Sequence, residues 1–234
     1  AVEHRALLAV ADTLRALSPW RGRANLAHGG GVPEPRNRSE ALSLDQVGWT
    51  ASMDKEIKNH ESNQSWVWIP RDSVPRGRRL IKLVWVFKVK RDGSLKSRLC
   101  VQGCAQNAGV DYDQTWSGTL ASSSLRALAG LAAREGLRLR RWDFVSAYLQ
   151  GSLEDGEVVY CFPPPGYERR DAQGREMVCR VVKPIYGMAQ AGRRWQRTLF
   201  PWLREFGFVA SENDPCVFTC ERDVSTSGAP RVEK

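Results

Sequence analysis

The stretch "LIKLVWVFKVKRDGSLKSRLCVQG", residues 80–103, reads as two strands around a tight turn. β-branched and aromatic residues fill the first run, with cations spaced along it, and an Asp-Gly pair marks the reversal. The length of the loop decides which way the cations point. A two-residue Asp92-Gly93 turn sets Lys88 and Lys90 on the face opposite Lys96 and Arg98. A three-residue loop, Arg91-Asp92-Gly93, with the glycine left-handed at a bulge, sets all four on one face. The second arrangement is expected, with Trp85, Phe87 and Val89 against Leu95, Leu99 and Val101 on the other side. Like charges across a sheet repel. On these residues alone, a solvated basic face and an anion-binding face fit the pattern equally well.

Upstream of this ribbon, residues 49–60, "WTASMDKEIKNH", read as a helix. Residues 1–18 carry Leu7, Leu8, Ala11, Leu14 and Leu17 at helical spacing. Residues 19–40 are rich in Gly, Pro and Arg, which is the chemistry of a linker. Gly29-Gly30-Gly31 is not a phosphate loop, because no GK[ST] follows and no strand precedes it. Downstream, residues 122–136 read as a Ser-capped helix that buries a stripe of Leu125, Leu128, Leu131 and Ala132 and stops at Gly136. A strand over 137–145, "LRLRRWDFV", is then expected to deliver Asp143. Further strands are expected over 157–167 and 178–187. A last helix has Trp195, Leu199, Trp202 and Phe206 on one face and Pro201 inside it. Helices and mixed strands in this order imply an α+β or α/β layered sheet.

The 234 residues carry a formal charge of +9, a pI near 9.5 and 42% apolar residues. This is a globular composition, and the basicity favours a polyanion partner, nucleic acid before membrane. No apolar run is long enough to span a bilayer, and AVEHRALLAV lacks the features of a secretory signal. Six cysteines include two CxxxC pairs. No matching histidine pair accompanies them, so they read as small apolar residues in a reducing, intracellular setting rather than as a zinc site.

Asp143 is the one acid in "RRWDFVSAYLQG", residues 140–151. A carboxylate among apolar neighbours is costly unless a cation or hydrogen-bond donors meet it. A metal site and a strand-end cap both answer that need.

Several segments, in order, resemble the reverse transcriptase of copia-type LTR retrotransposons. They are "WTASMDKEIKNHESNQSW", "WVFKVKRDGSLKSRLCVQGCAQNAGVDYDQTWS", "SLRALAGLAAREGLRLRRWDFVSAYLQGSLEDGEVVYCFPPPGYE", "VCRVVKPIYGMAQAGRRW" and "LREFGFVASENDPCVF". The resemblance covers roughly residues 49–218. It implies an α+β right-hand polymerase fold, with fingers over 49–115, a partial palm over 116–234, and an N-terminal extension, residues 1–48, that is mostly irregular. It makes Asp143 the catalytic acid of a D-x-x-A-[FY] segment that binds Mg²⁺, in a site that uses two such ions. It makes Tyr148 the ring that excludes a 2′-hydroxyl, and it makes Lys96, Arg98 and Lys88 the grip on the triphosphate. Gln190, in "KPIYGMAQAGRRW", then lines the base and template side of the nucleotide pocket. The implied partners are an RNA or DNA template-primer, deoxynucleoside triphosphates, and integrase and RNase H domains in a parent polyprotein. No membrane partner is implied.

The sequence departs from the family pattern. Ala189 and Gly192 stand where a Lys and a Pro are usual, and "TWSGTL" lacks a usual Pro. A YxDD hairpin, expected soon after "DPCVF", is not present, and Asp223 does not replace it. The expectation is therefore a fragment of a retrotransposon polyprotein, a polymerase by descent with an incomplete metal site. A non-catalytic nucleic-acid-binding protein and a decayed remnant are the alternatives.

Overall fold

The computed structural model describes residues 5–9 and 33–221, and the turn chemistry of the ribbon is plain in it. Strands β4 (Leu83–Val89) and β5 (Leu95–Val101) pair antiparallel, with Lys88 opposite Lys96 and Val86 opposite Arg98. The Lys90 N–H donates to the Ser94 carbonyl and the Gly93 N–H to the Lys90 carbonyl, each at 2.9 Å. Gly93 has φ +78°, a left-handed backbone that glycine adopts without penalty. The loop is thus the three-residue form. Lys88, Lys90 and Arg98 are exposed on one face, with Lys96 half-buried beside them, while Trp85, Phe87, Leu99 and Val101 are buried on the other. The first strand is shorter than its apolar run: Leu80–Ile81 forms a separate strand, β3, before Lys82.

The chain divides into two units. The larger holds residues 23–116 and 146–198, and the smaller holds 1–22, 117–145 and 199–234. In the larger unit, helix α1 (Arg38–Leu44) starts at Asn37, whose side chain accepts from the Glu40 N–H. It occupies part of the stretch expected to be irregular. Helix α2 (Gln46–Ser62) begins three residues ahead of the expected start, because Asp45 caps it by accepting from the Gly48 N–H at 2.9 Å. Its inward face buries Trp49, Met53, Glu56, Ile57 and His60. Strands β2 (Trp66–Pro70), β6 (Val159–Cys161) and β7 (Met177–Val181) complete a sheet of order β2-β7-β6-β3, in which only β3 and β6 run parallel. The core joins Trp49, Met53 and Ile57 of α2 to Trp85, Phe87 and Leu99 of the ribbon and to Val159, Cys179 and Val181 of the sheet.

The smaller unit holds strand β1 (Arg5–Ala9), helix α3 (Ser122–Arg134), and strands β8 (Val209–Ala210) and β9 (Val217–Glu221), with sheet order β1-β9-β8. Helix α4 (Ala191–Glu205) continues through Pro201 and contributes residues to both units. Three expectations are corrected here. Residues 5–9 form a strand paired with β9, not part of a helix, and residues 1–4 and 10–18 lie outside the described residues. Helix α3 has Ala121 at its N-cap with no capping side chain, and it buries only Ala132, with Leu125 exposed. The segment 137–145 forms no strand. Its apolar residues alternate with arginines, but none of the described strands pairs with it, and strand propensity yields to context.

Candidate functional site

The outer edge of β5 would present unpaired backbone groups, and side chains of α2 meet them. The Ser52 hydroxyl accepts from the Ser97 N–H at 2.8 Å and donates to the Leu95 carbonyl at 3.2 Å. Glu56 accepts from the Leu99 N–H at 3.3 Å. Beyond the helix, the Val101 N–H donates to the Tyr186 carbonyl at 2.7 Å. Helix side chains and one loop carbonyl therefore stand where a third strand would pair.

Glu56 is buried, yet it faces Lys96 and His60. Lys96 Nζ lies 3.9 Å from one carboxylate oxygen and His60 Nε2 lies 3.7 Å from the other. Burial pushes the Glu56 carboxyl up, but His60, Lys96 and the Leu99 N–H together hold it below its ordinary value. His60 Nδ1 also meets the Ser65 hydroxyl at 3.0 Å. This is a Ser-His-Glu arrangement, but Ser65 is 0% exposed and His60 1%, so no substrate reaches it. Its role is to tie α2 to the start of β2.

Lys96 is thus anchored from behind. Among the described residues, neither Lys88 nor Arg98 has a carboxylate in ion-pair range. Arg98 instead lies over the Tyr186 ring, 5.7 Å from its centroid. The Tyr186 ring in turn packs against Tyr148, with centroids 4.8 Å apart. Arg98, Tyr186 and Tyr148 therefore form a continuous row within one unit, next to Lys88 and Lys96. This row joins cations that fit phosphate oxygens to aromatic faces that fit a sugar or base.

Tyr148 sits on a short 3₁₀ turn, Ala147–Gln150. Ser146, immediately before it, has φ +51°, a left-handed conformation that costs a non-glycine residue roughly 1–2 kcal/mol. Asn59 of α2 meets this residue: its Nδ2 donates to Ser146 Oγ at 3.1 Å, and Ser146 Oγ donates to Asn59 Oδ1 at 3.3 Å.

Gln190 does not line an open site. It is 0% exposed, its Nε2 donates to the Asp111 carbonyl at 3.1 Å, and its Oε1 accepts from Gln106 Nε2 at 3.1 Å. Gln106 Oε1 accepts from the Ala189 N–H at 2.8 Å. The amide is committed to holding the 106–111 loop.

Asp143 is exposed and lies in the smaller unit, whereas the ribbon, Tyr148 and Tyr186 belong to the larger. The greasy strand expected around it is not formed, so burial does not account for this acid. Among the described residues, no group of three His, Cys, Asp or Glu side chains converges to hold a metal ion. Mg²⁺ takes near-octahedral oxygen coordination from one or two carboxylates together with substrate phosphates and waters, and among the described residues Asp143 would be one such carboxylate, outside any cluster of three ligating side chains. Asp223 lies outside the described residues. The cysteines are free and do not cluster for zinc. No helix among the described residues is long and apolar enough to cross a membrane.

Sequence reading missed Ser52, Glu56 and Asn59, and it assigned no role to Tyr186 within "KPIYGMAQAGRRW". The signal for the first three is the spacing of polar residues 52, 56 and 59, which shares a helix face with apolar Met53 and Ile57.

The family model described as reverse transcriptase (RNA-dependent DNA polymerase) matches residues 63–224. The chain is 32% identical to the retrovirus-related Pol polyprotein from transposon TNT 1-94 of Nicotiana tabacum, over 79% of this chain and 14% of that protein. It is 36% identical to the corresponding polyprotein from transposon RE2 of Arabidopsis thaliana, over 81% of this chain and 13% of that protein. A more distant match, 28% identical over 60% of the chain, is the Gag-Pol polyprotein of transposon Ty1-BL of Saccharomyces cerevisiae. The chain spans only about one seventh of the plant relatives' length. No solved structure matches it. The ordered motifs, the mixed α+β architecture and the family match over 63–224 together place this chain in the reverse transcriptase family of retrotransposon Pol polyproteins.

Proposed function

We propose that this chain supplies the nucleotide-gripping portion of an RNA-directed DNA polymerase from a retrotransposon polyprotein. In this reading the fold is a right hand, with fingers over 49–115 and part of the palm over 116–234. Lys88, Lys96 and Arg98 hold the triphosphate of an incoming deoxynucleotide. Tyr148 lies under the sugar, where a ring leaves no room for a 2′-hydroxyl. Gln190 shapes the pocket from within the core. The partners are a template-primer of RNA or DNA and the other Pol domains of the parent polyprotein, in an intracellular setting. The observation that carries the reading is the row Arg98–Tyr186–Tyr148 beside Lys88 and Lys96, in which Lys96 is held by Glu56 while Arg98 and Lys88 have no carboxylate in ion-pair range among the described residues.

Asp143 is proposed as the catalytic acid on the strength of its place in the D-x-x-A-[FY] segment. When bound, Mg²⁺ would neutralise phosphate charge during nucleotidyl transfer. The described residues offer it one carboxylate, which does not make a complete site, so no step is assigned through it.

The test is primer extension by this chain on an RNA template with Mg²⁺. Extension that disappears in Asp143→Asn supports the polymerase reading, and extension that survives that change removes Asp143 from it. The isolated, exposed Asp143 favours one other reading, a non-catalytic nucleic-acid-binding module. Absence of extension, together with salt-dependent single-strand binding that weakens in Lys96→Ala with Arg98→Ala, supports that module instead.

A further inference from the structure

Helix α2 carries Ser52, Glu56, Asn59 and Asn63 at spacings of four, three and four, so they share one stripe of the helix. The first two clip the strand that bears Lys96 and Arg98. The third holds Ser146, two residues before Tyr148. The fourth braces the third, because Asn63 Nδ2 donates to Asn59 Oδ1 at 3.2 Å and to the Asn59 carbonyl at 2.8 Å. One helix face therefore contacts both ends of the row that runs from the cations to Tyr148.

Ser146 is the weak point of this arrangement. It holds a left-handed backbone that an L-residue leaves unless something fixes it. Its carbonyl accepts from the Leu149 N–H at 2.8 Å and so starts the turn that carries Tyr148. If Ser146 relaxes to negative φ, this turn re-forms elsewhere and the Tyr148 ring leaves Tyr186. Asn59 supplies both a donor and an acceptor to the Ser146 hydroxyl, which fixes that residue from outside its own segment.

We infer that Asn59 is a positioning residue for nucleotide selection: it locks Ser146 in its left-handed conformation and thereby sets Tyr148 against Tyr186, at a fixed distance from the Arg98 and Lys96 grip. The inference rests on the reading of this row as the nucleotide site. Asn59 touches no ligand in this role and acts only through the turn.

The test uses the full chain and two readouts. Amide hydrogen exchange over residues 146–151 reports the turn. The ratio of dATP to ATP affinity reports selection against the 2′-hydroxyl. Asn59→Ala is expected to speed exchange in the turn and to reduce the dATP preference, each by about tenfold, as the loss of part-buried neutral hydrogen bonds predicts. Asn59→Asp keeps the acceptor and loses the donor, so it is expected to fall between, and it guards against a misfolded alanine variant. Adding Ser146→Gly to Asn59→Ala is expected to recover much of the preference, because glycine takes positive φ unaided. A merely structural Asn59 would not be rescued by a glycine that removes a further contact. Unchanged exchange and unchanged preference in both Asn59 variants would overturn the inference. A wild-type chain that binds dATP and ATP equally, with a turn that still loosens in Asn59→Ala, would uphold the anchor and overturn the nucleotide-site reading instead.

Discussion

A side-chain carbon on Gly103 would lie 2.0 Å from the Gly187 carbonyl oxygen. The reverse approach is equally close: a Cβ on Gly187, which has φ +88°, would lie 2.2 Å from the Val101 carbonyl oxygen. The end of β5 and the Tyr186-Gly187 loop thus touch backbone to backbone, and this contact brings Tyr186 beneath Arg98. Gly103→Ala is expected to destabilise the chain by about 2 kcal/mol or more, since neither neighbour is a flexible side chain. Denaturant unfolding checks the loss, and wild-type stability in this variant would mean that the loop shifts freely.

Arg98 and Lys96 are not interchangeable in this arrangement. Arg98 sets its guanidinium carbon 5.7 Å from the Tyr186 ring centroid, and a lysine ammonium there keeps the charge but loses the delocalised, fork-shaped donor set. Arg98→Lys is expected to weaken deoxynucleotide binding by about threefold to tenfold, and Arg98→Ala by more. Titration with dATP measures both. Equal affinities in wild type and Arg98→Ala would take Arg98 out of the site.

Glu56 gives the chain an acid-sensitive clasp. Its folded pKa lies below the ordinary 4.5, so its charged form adds stability at pH above 4.5 and loses it as pH falls through the depressed folded value. Glu56→Gln is expected to flatten the acid limb of a stability-against-pH curve. It is also expected to lower stability at neutral pH, because Lys96 and His60 then lose their partner. An unchanged acid limb would assign that limb to other carboxylates.

Arg194 is a buried cation that needs its partner. It is 3% exposed and forks onto Glu157 with contacts of 2.6 and 2.8 Å, while also pairing with Glu154. Arg194→Ala leaves Glu157 buried without its fork and is expected to cost about 3–5 kcal/mol. Thermal melting of Arg194→Ala beside Glu157→Gln checks this, with the glutamine variant expected to lose less.

The thiols differ in reactivity. Cys104 is exposed, whereas burial, with the Glu56 charge adding to it, pushes the Cys100 thiol up to about 11. Burial also raises Cys161 and Cys179 well above the ordinary range. Brief iodoacetamide treatment near neutral pH is therefore expected to modify Cys104 well ahead of these three, as peptide mass mapping would show.

Local chemistry made the ribbon legible from sequence. Alternation placed Trp85, Phe87 and Leu99 inward, and Arg91-Asp92-Gly93 set the register of the cations. Helix α2 was legible too, apart from an onset that Asp45 moved. Asp143 was not, because a strand exists only with a partner, and nothing in "LRLRRWDFV" specifies one. Residues 5–9 failed for a related reason: their pairing partner, Val217–Glu221, lies at the far end of the chain. Gln190 was recognised as a motif residue, but only the fold reveals that Gln106 and Asp111 absorb its amide. Ser52, Glu56 and Asn59 escaped notice because polar residues on a buried helix face look like noise until their backbone partners are known.

Because α2 closes the outer side of β5 with hydroxyl and carboxylate groups rather than with another strand, no foreign segment can zip onto that side. The same closure fastens ribbon to helix, so that the strand bearing Lys96 and, through Asn59, the residue before the Tyr148 turn hang from one length of backbone.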